Sequence, residues 1–147
     1  IIRQVLAFEA KEKKTDIALA IEYFNNVMKK RTICFVLSDF LSPEFEKPLK
    51  IASKKHDIIA LRIHDKRENS LPNVGIIPLQ DAENDSISYV DTSSQKVREL
   101  FHNKQEEKQV YLKKLFQKCG VDIIDISTGS DYVKPLMNFF KNRGKRR

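Results

Sequence analysis

The sequence is short of the residues on which several chemistries depend. It has only four glycines, and none of them builds a Gly-rich loop able to cradle phosphates. That removes the common nucleotide-binding fingerprints. No serine stands in the strand–turn–helix setting of a nucleophile elbow. There are two cysteines, Cys34 and Cys119, without metal-ligand spacing. Cys34 sits in an apolar run and reads as a small packing hydrophobe, while Cys119 precedes Gly120 at a helix end. A reduced, cytoplasmic setting fits this usage. No apolar run approaches the roughly 20 residues that span a bilayer, so no membrane insertion is expected of this chain. No signal-peptide pattern leads it.

What is present suits one globular domain: 147 residues, 41% hydrophobic and 32% charged. The formal charge is +7, and much of the excess lies in Lys141, Arg143, Lys145, Arg146 and Arg147. A basic run after a helix reads as a solvated end, and no nucleic-acid motif accompanies it. A nucleic-acid partner is therefore not expected. Ile1, Val5, Leu6 and Phe8 already follow a helical spacing, so the chain reads as a fragment that begins inside an element.

Hydrophobic spacing orders the rest. Apolar residues from Ile17 to Met28 recur at helical intervals and predict a helix over 16–30, capped by Thr15. Residues 32–38 form a continuous apolar run, the pattern of a strand covered on both faces in a parallel sheet. Ser42-Pro43-Glu44 predicts a helix start with proline in the first turn, carrying Phe45, Leu49, Ile51 and Ala52 inward. Asp57 to Asp65 is a second buried strand. Residues 74–79 and 86–90 read as a β-hairpin across 81–85, with Pro78 marking an edge. Thr92-Ser93-Ser94 is expected to cap a long helix with Val97, Leu100, Phe101, Val110, Leu112, Leu115 and Phe116 inward, stopped by Gly120. Residues 121–126 form a third core strand, and a last helix carries Val133, Leu136, Phe139 and Phe140. The order α-β-α-β-(ββ)-α-β-α argues for an α/β fold: a mainly parallel sheet flanked by helices, with a hairpin insertion.

In such a sheet the carboxyl ends of the strands gather at one edge, where ligands bind. That edge is predicted to bring together Ser38-Asp39, His64-Asp65 and Ser127-Thr128. The start of the first helix adds the Thr15 hydroxyl. Thr15 and Asp39 are hard oxygen donors of the type Mg²⁺ or Mn²⁺ prefers. His64 and Asp65 are neighbours on a strand and so point to opposite faces, which argues against a simple His–Asp pair. No catalytic residues are expected.

Thr15 and Asp39, in Lys14-Thr15-Asp16 and Ser38-Asp39-Phe40, resemble two of the three parts of the metal-ion-dependent adhesion site of von Willebrand factor A domains. The third, Asp-x-Ser-x-Ser, is not in this chain. More broadly, Thr15-Asp16, Ser38-Asp39-Phe40, His56 to Arg62, Asp65 to Glu68, Leu71 to Gly75, Asp81-Ala82-Glu83 and Val90-Asp91-Thr92 resemble the domain-of-unknown-function 58 family of bacterial proteins. The resemblance implies a partial von Willebrand A, Rossmann-like fold over 1–147, lacking its N-terminal strands. It implies a non-enzymatic protein-binding module associated with a MoxR-type AAA+ ATPase in the maturation of protein complexes. It also implies Mg²⁺ or Mn²⁺ in the full-length parent, with no cofactor in the fragment, where Thr15 and Asp39 form an incomplete site. The first strand of such a fold would pair with strand 32–38. Without it that edge is bare, and a homodimer is the expectation. The alternative function is a metal-dependent hydrolase using His64, Asp65 and Asp39.

Overall fold

The computed structural model describes residues 15–42, 44–80 and 86–145, with the single positions 3 and 7. The helix expected around Ile1 to Phe8, Pro43, the hairpin turn at 81–85, and Arg146 and Arg147 lie outside the described residues. The elements run α1 (Ile17–Val27), β1 (Ile33–Ser38), α2 (Glu46–Lys55), β2 (Asp57–His64), a 3-10 turn (Lys66–Asn69), β3 (Ile76–Gln80), β4 (Ile87–Asp91), α3 (Gln95–Cys119), β5 (Asp122–Ser127) and α4 (Val133–Gly144). The architecture is mixed α/β. Three parallel strands lie in the order β1-β2-β5, and β3 and β4 form a separate antiparallel hairpin.

The central strand explains the core. Ile58, Ile59, Ala60 and Leu61 of β2 are all buried, because helices cover both faces. Ile58 and Ala60 pack with α1, α2 and the C-terminal half of α3, through Ile17, Ile21, Leu49, Ala52, Leu112 and Phe116. Ile59 and Leu61 pack with Ile124 beneath Leu136 and Phe139 of α4. α4 itself buries no residue fully. No helix among the described residues is long and apolar enough to cross a membrane.

β1 departs from the expectation of a strand covered on both faces. Cys34 and Val36 pack on the helical layer, but Ile33, Phe35 and Leu37 are 59%, 45% and 61% exposed. α4 reaches this side only at its end, where Phe140 meets Phe35 with ring centroids 6.3 Å apart. The apolar run is the same on every face of a strand; the cover is not.

The starts of three helices also differ from expectation, in their caps or their position. α1 is capped by Asp16 rather than Thr15: the Asp16 carboxylate accepts the Leu19 N–H at 2.8 Å. α2 begins at Glu46, later than expected, because the chain first turns through two left-handed residues, Phe40 (φ 58°) and Glu44 (φ 59°). Pro48 then falls in its first turn, where no backbone donor is needed. Ile51 points outward, 53% exposed. α3 follows Ser94, but no side chain caps it. Thr92, which was expected to help cap it, is fully buried instead: its hydroxyl donates to the Gly75 carbonyl at 2.6 Å and accepts the Val74 N–H at 3.1 Å. It fastens the base of the hairpin. Along α3 full burial begins only at Leu112: Leu100 and Val110 are exposed, while Leu112, Leu115, Phe116 and Cys119 are buried. Gly120 ends α3 as expected, in the left-handed region at φ 67°.

Candidate functional site

β1 and the start of α1 meet at one corner of the sheet. The Ile17 N–H points to the Ser42 hydroxyl at 3.5 Å, tying the helix start to the loop that follows Asp39. Thr15, Asp16, Ala20 and Phe24 on the helix side and Leu37 and Ser38 on the strand side line an open cleft of about 350 Å³. Asp39 does not line it. Its Oδ1 accepts the Leu41 N–H at 3.1 Å and faces the Ser38 hydroxyl at 3.4 Å, which in turn accepts the Phe40 N–H at 3.0 Å. Asp39 Oδ2 makes no hydrogen bond among the described residues, and both Asp39 and Thr15 are exposed.

The loop carrying Asp39 is held by strain offset by packing. A phenylalanine in the left-handed region is sterically costly. Phe40 stays there because its ring is buried against Phe45 and Phe116, at centroid distances of 5.7 and 4.9 Å. The result is a fixed turn that ends β1 and leaves Leu41 exposed beside Asp39.

The second half of the edge is a hydrogen-bonded knot. Register places His64 opposite Ser127. The Thr128 N–H donates to the His64 carbonyl at 2.9 Å, and the Thr128 hydroxyl donates to Asp65 Oδ2 at 3.1 Å. Asp65 Oδ1 accepts the Arg67 N–H at 2.8 Å and caps the 3-10 turn. The Arg67 amide, and then the Thr128 hydroxyl, hold the Asp65 carboxyl below the usual carboxylate range. The five edge residues Ser38, His64, Asp65, Ser127 and Thr128 thus end neighbouring parallel strands, with His64, Asp65, Ser127 and Thr128 locked together. Both Asp65 carboxylate oxygens are spent on local structure, and the buried His64 Nδ1 has no hydrogen-bond partner among the described residues.

As a metal site the described residues are short of ligands. No group of three His, Cys, Asp or Glu that could hold a metal ion is found among them. Asp16 is occupied as a cap, which leaves the Asp39 carboxylate and the Thr15 and Ser38 hydroxyls, fewer than the ~6 oxygens of Mg²⁺. The donors are of the right hardness but do not by themselves fit the ion.

Two polar features carry no sequence signal. Arg143 of α4 reaches back to pair with Asp57 and, at 3.6 Å, with Asp122, while its guanidinium lies 5.5 Å from the Phe139 ring centre. Asp125 pairs with Arg62 at 3.2 Å. Partners so distant in sequence cannot be read from spacing. Burial raises the thiol pKa of Cys34 and of Cys119, and both are free.

The chain is similar to an uncharacterised protein of Mycobacterium avium, 27% identical over 129 residues that make up 87% of this chain and 76% of the relative. It is similar in the same way to uncharacterised proteins of Mycobacterium tuberculosis and Mycobacterium bovis, 26% identical over 129 residues. The chain spans only 40% of the length of these two. No solved structure matches it. A family model described as "Protein of unknown function DUF58" matches residues 1–111, about three quarters of the sequence, and the chain belongs to that family.

Proposed function

We propose that this chain is the C-terminal portion of a von Willebrand A-like, non-enzymatic protein-binding module. In this reading it works in the cytoplasm with a MoxR-type AAA+ ATPase during assembly or maturation of protein complexes. The observation that carries the reading is the corner where the α1 start meets the end of β1, with the Thr15 hydroxyl and an Asp39 carboxylate that keeps one oxygen open. Parallel order β1-β2-β5 supports it, since such a sheet presents its ligand edge at the strands' carboxyl ends. A longer protein would complete the site with Asp-x-Ser-x-Ser from a strand preceding Ile1. A Mg²⁺ or Mn²⁺ ion held there would bind an acidic group of the partner. Thr15 would contribute a hydroxyl, and Asp39 would orient and neutralise from the strand end. The hydrolase alternative is weaker, because Asp65 is already engaged by Arg67 and Thr128.

The test is calorimetric titration with Mg²⁺ of this chain and of a longer relative carrying Asp-x-Ser-x-Ser, each as wild type and as Asp39→Ala. The 147-residue chain should bind weakly or not at all. The longer protein should bind, and Asp39→Ala should weaken its metal affinity by about tenfold or more, as loss of an ordering partner does. Unchanged affinity in that variant removes Asp39 from the site.

A further inference from the structure

Helices that connect parallel strands run against them, so the C-terminal ends of the four helices gather at the amino edge of the sheet, opposite the strand ends that carry Asp39 and Asp65. Contacts tie these ends together. Lys55 Nζ, at the end of α2, donates to the Asn25 carbonyl of α1 at 3.0 Å, and the Ser53 hydroxyl donates to the Cys119 carbonyl of α3 at 2.7 Å. The Asp57 N–H donates to the Thr32 carbonyl at 2.9 Å, and Arg143 of α4 bridges Asp57 and Asp122. The edge thus collects Lys29, Lys30 and Arg31 after α1, Lys54 and Lys55 of α2, and Lys141 and Lys145 at the end of α4, all exposed. None of these bases makes an ion pair among the described residues. The acids at the strand starts, Asp57 and Asp122, are both answered by Arg143. Bases in a last helical turn complement the helix dipole, but α1 has none there; its three lie beyond the cap at Met28. The row is centred on the starts of β2 and β5, away from the outer edge of β1.

We propose that this amino edge docks on the surface of an anionic lipid bilayer, without inserting a helix. The choice of partner follows from the kind of base. Apart from Arg31, the unpaired bases are lysines. Lysine is depleted and arginine enriched where proteins meet proteins, and the planar arginine fork is the group fitted to nucleic-acid phosphates. Flexible lysine charges spread over several helix ends suit diffuse attraction to anionic headgroups instead. Met28, 39% exposed beside Lys29, is placed to enter the headgroup region. Docked in this way, the chain holds its carboxyl edge, with Ser38, Asp39 and His64, away from the bilayer and open to a partner.

This goes beyond the binding-module reading and is measured without metal, in chelator, so the failure of one is separable from the failure of the other. The experiment is co-sedimentation with vesicles of equimolar phosphatidylglycerol and phosphatidylcholine at about 0.1 M salt. The chain should bind these vesicles and leave pure phosphatidylcholine vesicles unbound. Lys30→Glu, Lys54→Glu and Lys141→Glu together should weaken binding about a hundredfold, from roughly fivefold for each base removed. Lys96→Glu, Lys104→Glu and Lys108→Glu, exposed on α3, make the same change in net charge and should weaken binding by less than about threefold, because they lie beyond the reach of screened charge. Both variants should keep the far-ultraviolet circular dichroism of the wild type, since every replaced side chain is exposed. A wild-type chain that ignores the anionic vesicles overturns the proposal. So does an equal loss in the two variants, which assigns binding to net charge alone. Capture by duplex DNA or polyglutamate that the vesicles fail to compete overturns it too, and gives the face to a nucleic acid or an acidic protein.

Discussion

His56 is a titratable residue buried in the fold. It closes α2, its backbone N–H donating to the Ala52 carbonyl at 2.8 Å, and its ring is buried edge-on against Phe24 at 4.7 Å. Neither ring nitrogen has a partner among the described residues. Burial, helped by the adjacent Lys55 charge, lowers its pKa from the ordinary 6.5. The unfolded chain therefore takes up this proton before the folded one does. Stability from neutral His56 is complete above 6.5 and drains away as pH falls from there toward the lower folded value. Thermal melts from pH 7.5 to pH 5 should show the midpoint falling, and His56→Phe, which keeps the ring contact without the titration, should flatten that fall. An equal acid limb in both proteins would place the loss elsewhere.

At the scale of elements, α4 is an α-helix that buries no residue fully and is fastened by specific side chains. It covers one face of the sheet with Leu136 and Phe139 half-buried and no residue fully so. Arg143 compensates by bridging Asp57 and Asp122, the first residues of β2 and β5. Because it sits partly out of water and answers two carboxylates, it contributes more than a surface pair. Arg143→Ala should cost about 1–3 kcal/mol in urea denaturation, and Arg143→Lys should recover part of it, since Lys keeps the charge but not the planar fork. The Lys118–Glu46 pair, at 2.5 Å but exposed, should cost well under 1 kcal/mol when broken by Lys118→Ala, which sets the comparison.

Over the whole molecule, protection from exchange should follow the layers. The β2 amides lie between two paired strands and under helices on both faces, whereas the β3–β4 hairpin shows Ile76, Ile87 and Tyr89 to solvent. Hydrogen exchange should therefore be slowest in β2 and β5 and fastest, among strands, in β3 and β4. Hairpin amides as protected as those of β2 would mean that the arm is covered by something else.

The sequence by itself determined the element order, the parallel sheet, the hairpin and the stop at Gly120, because each rests on local spacing or one residue's backbone freedom. It also placed Ser38, His64, Asp65, Ser127 and Thr128 at strand ends, since a strand's end is local too. Tertiary structure decided what those residues meet. Only the fold set Asp65 against Thr128, Arg143 against Asp57 and Thr92 under the hairpin. It also left the outward side of β1 uncovered, although the apolar run from Ile33 to Leu37 reads like that of a buried strand. Apolar patterning states what a segment can bury; which face is buried depends on strands and helices that arrive from elsewhere in the chain.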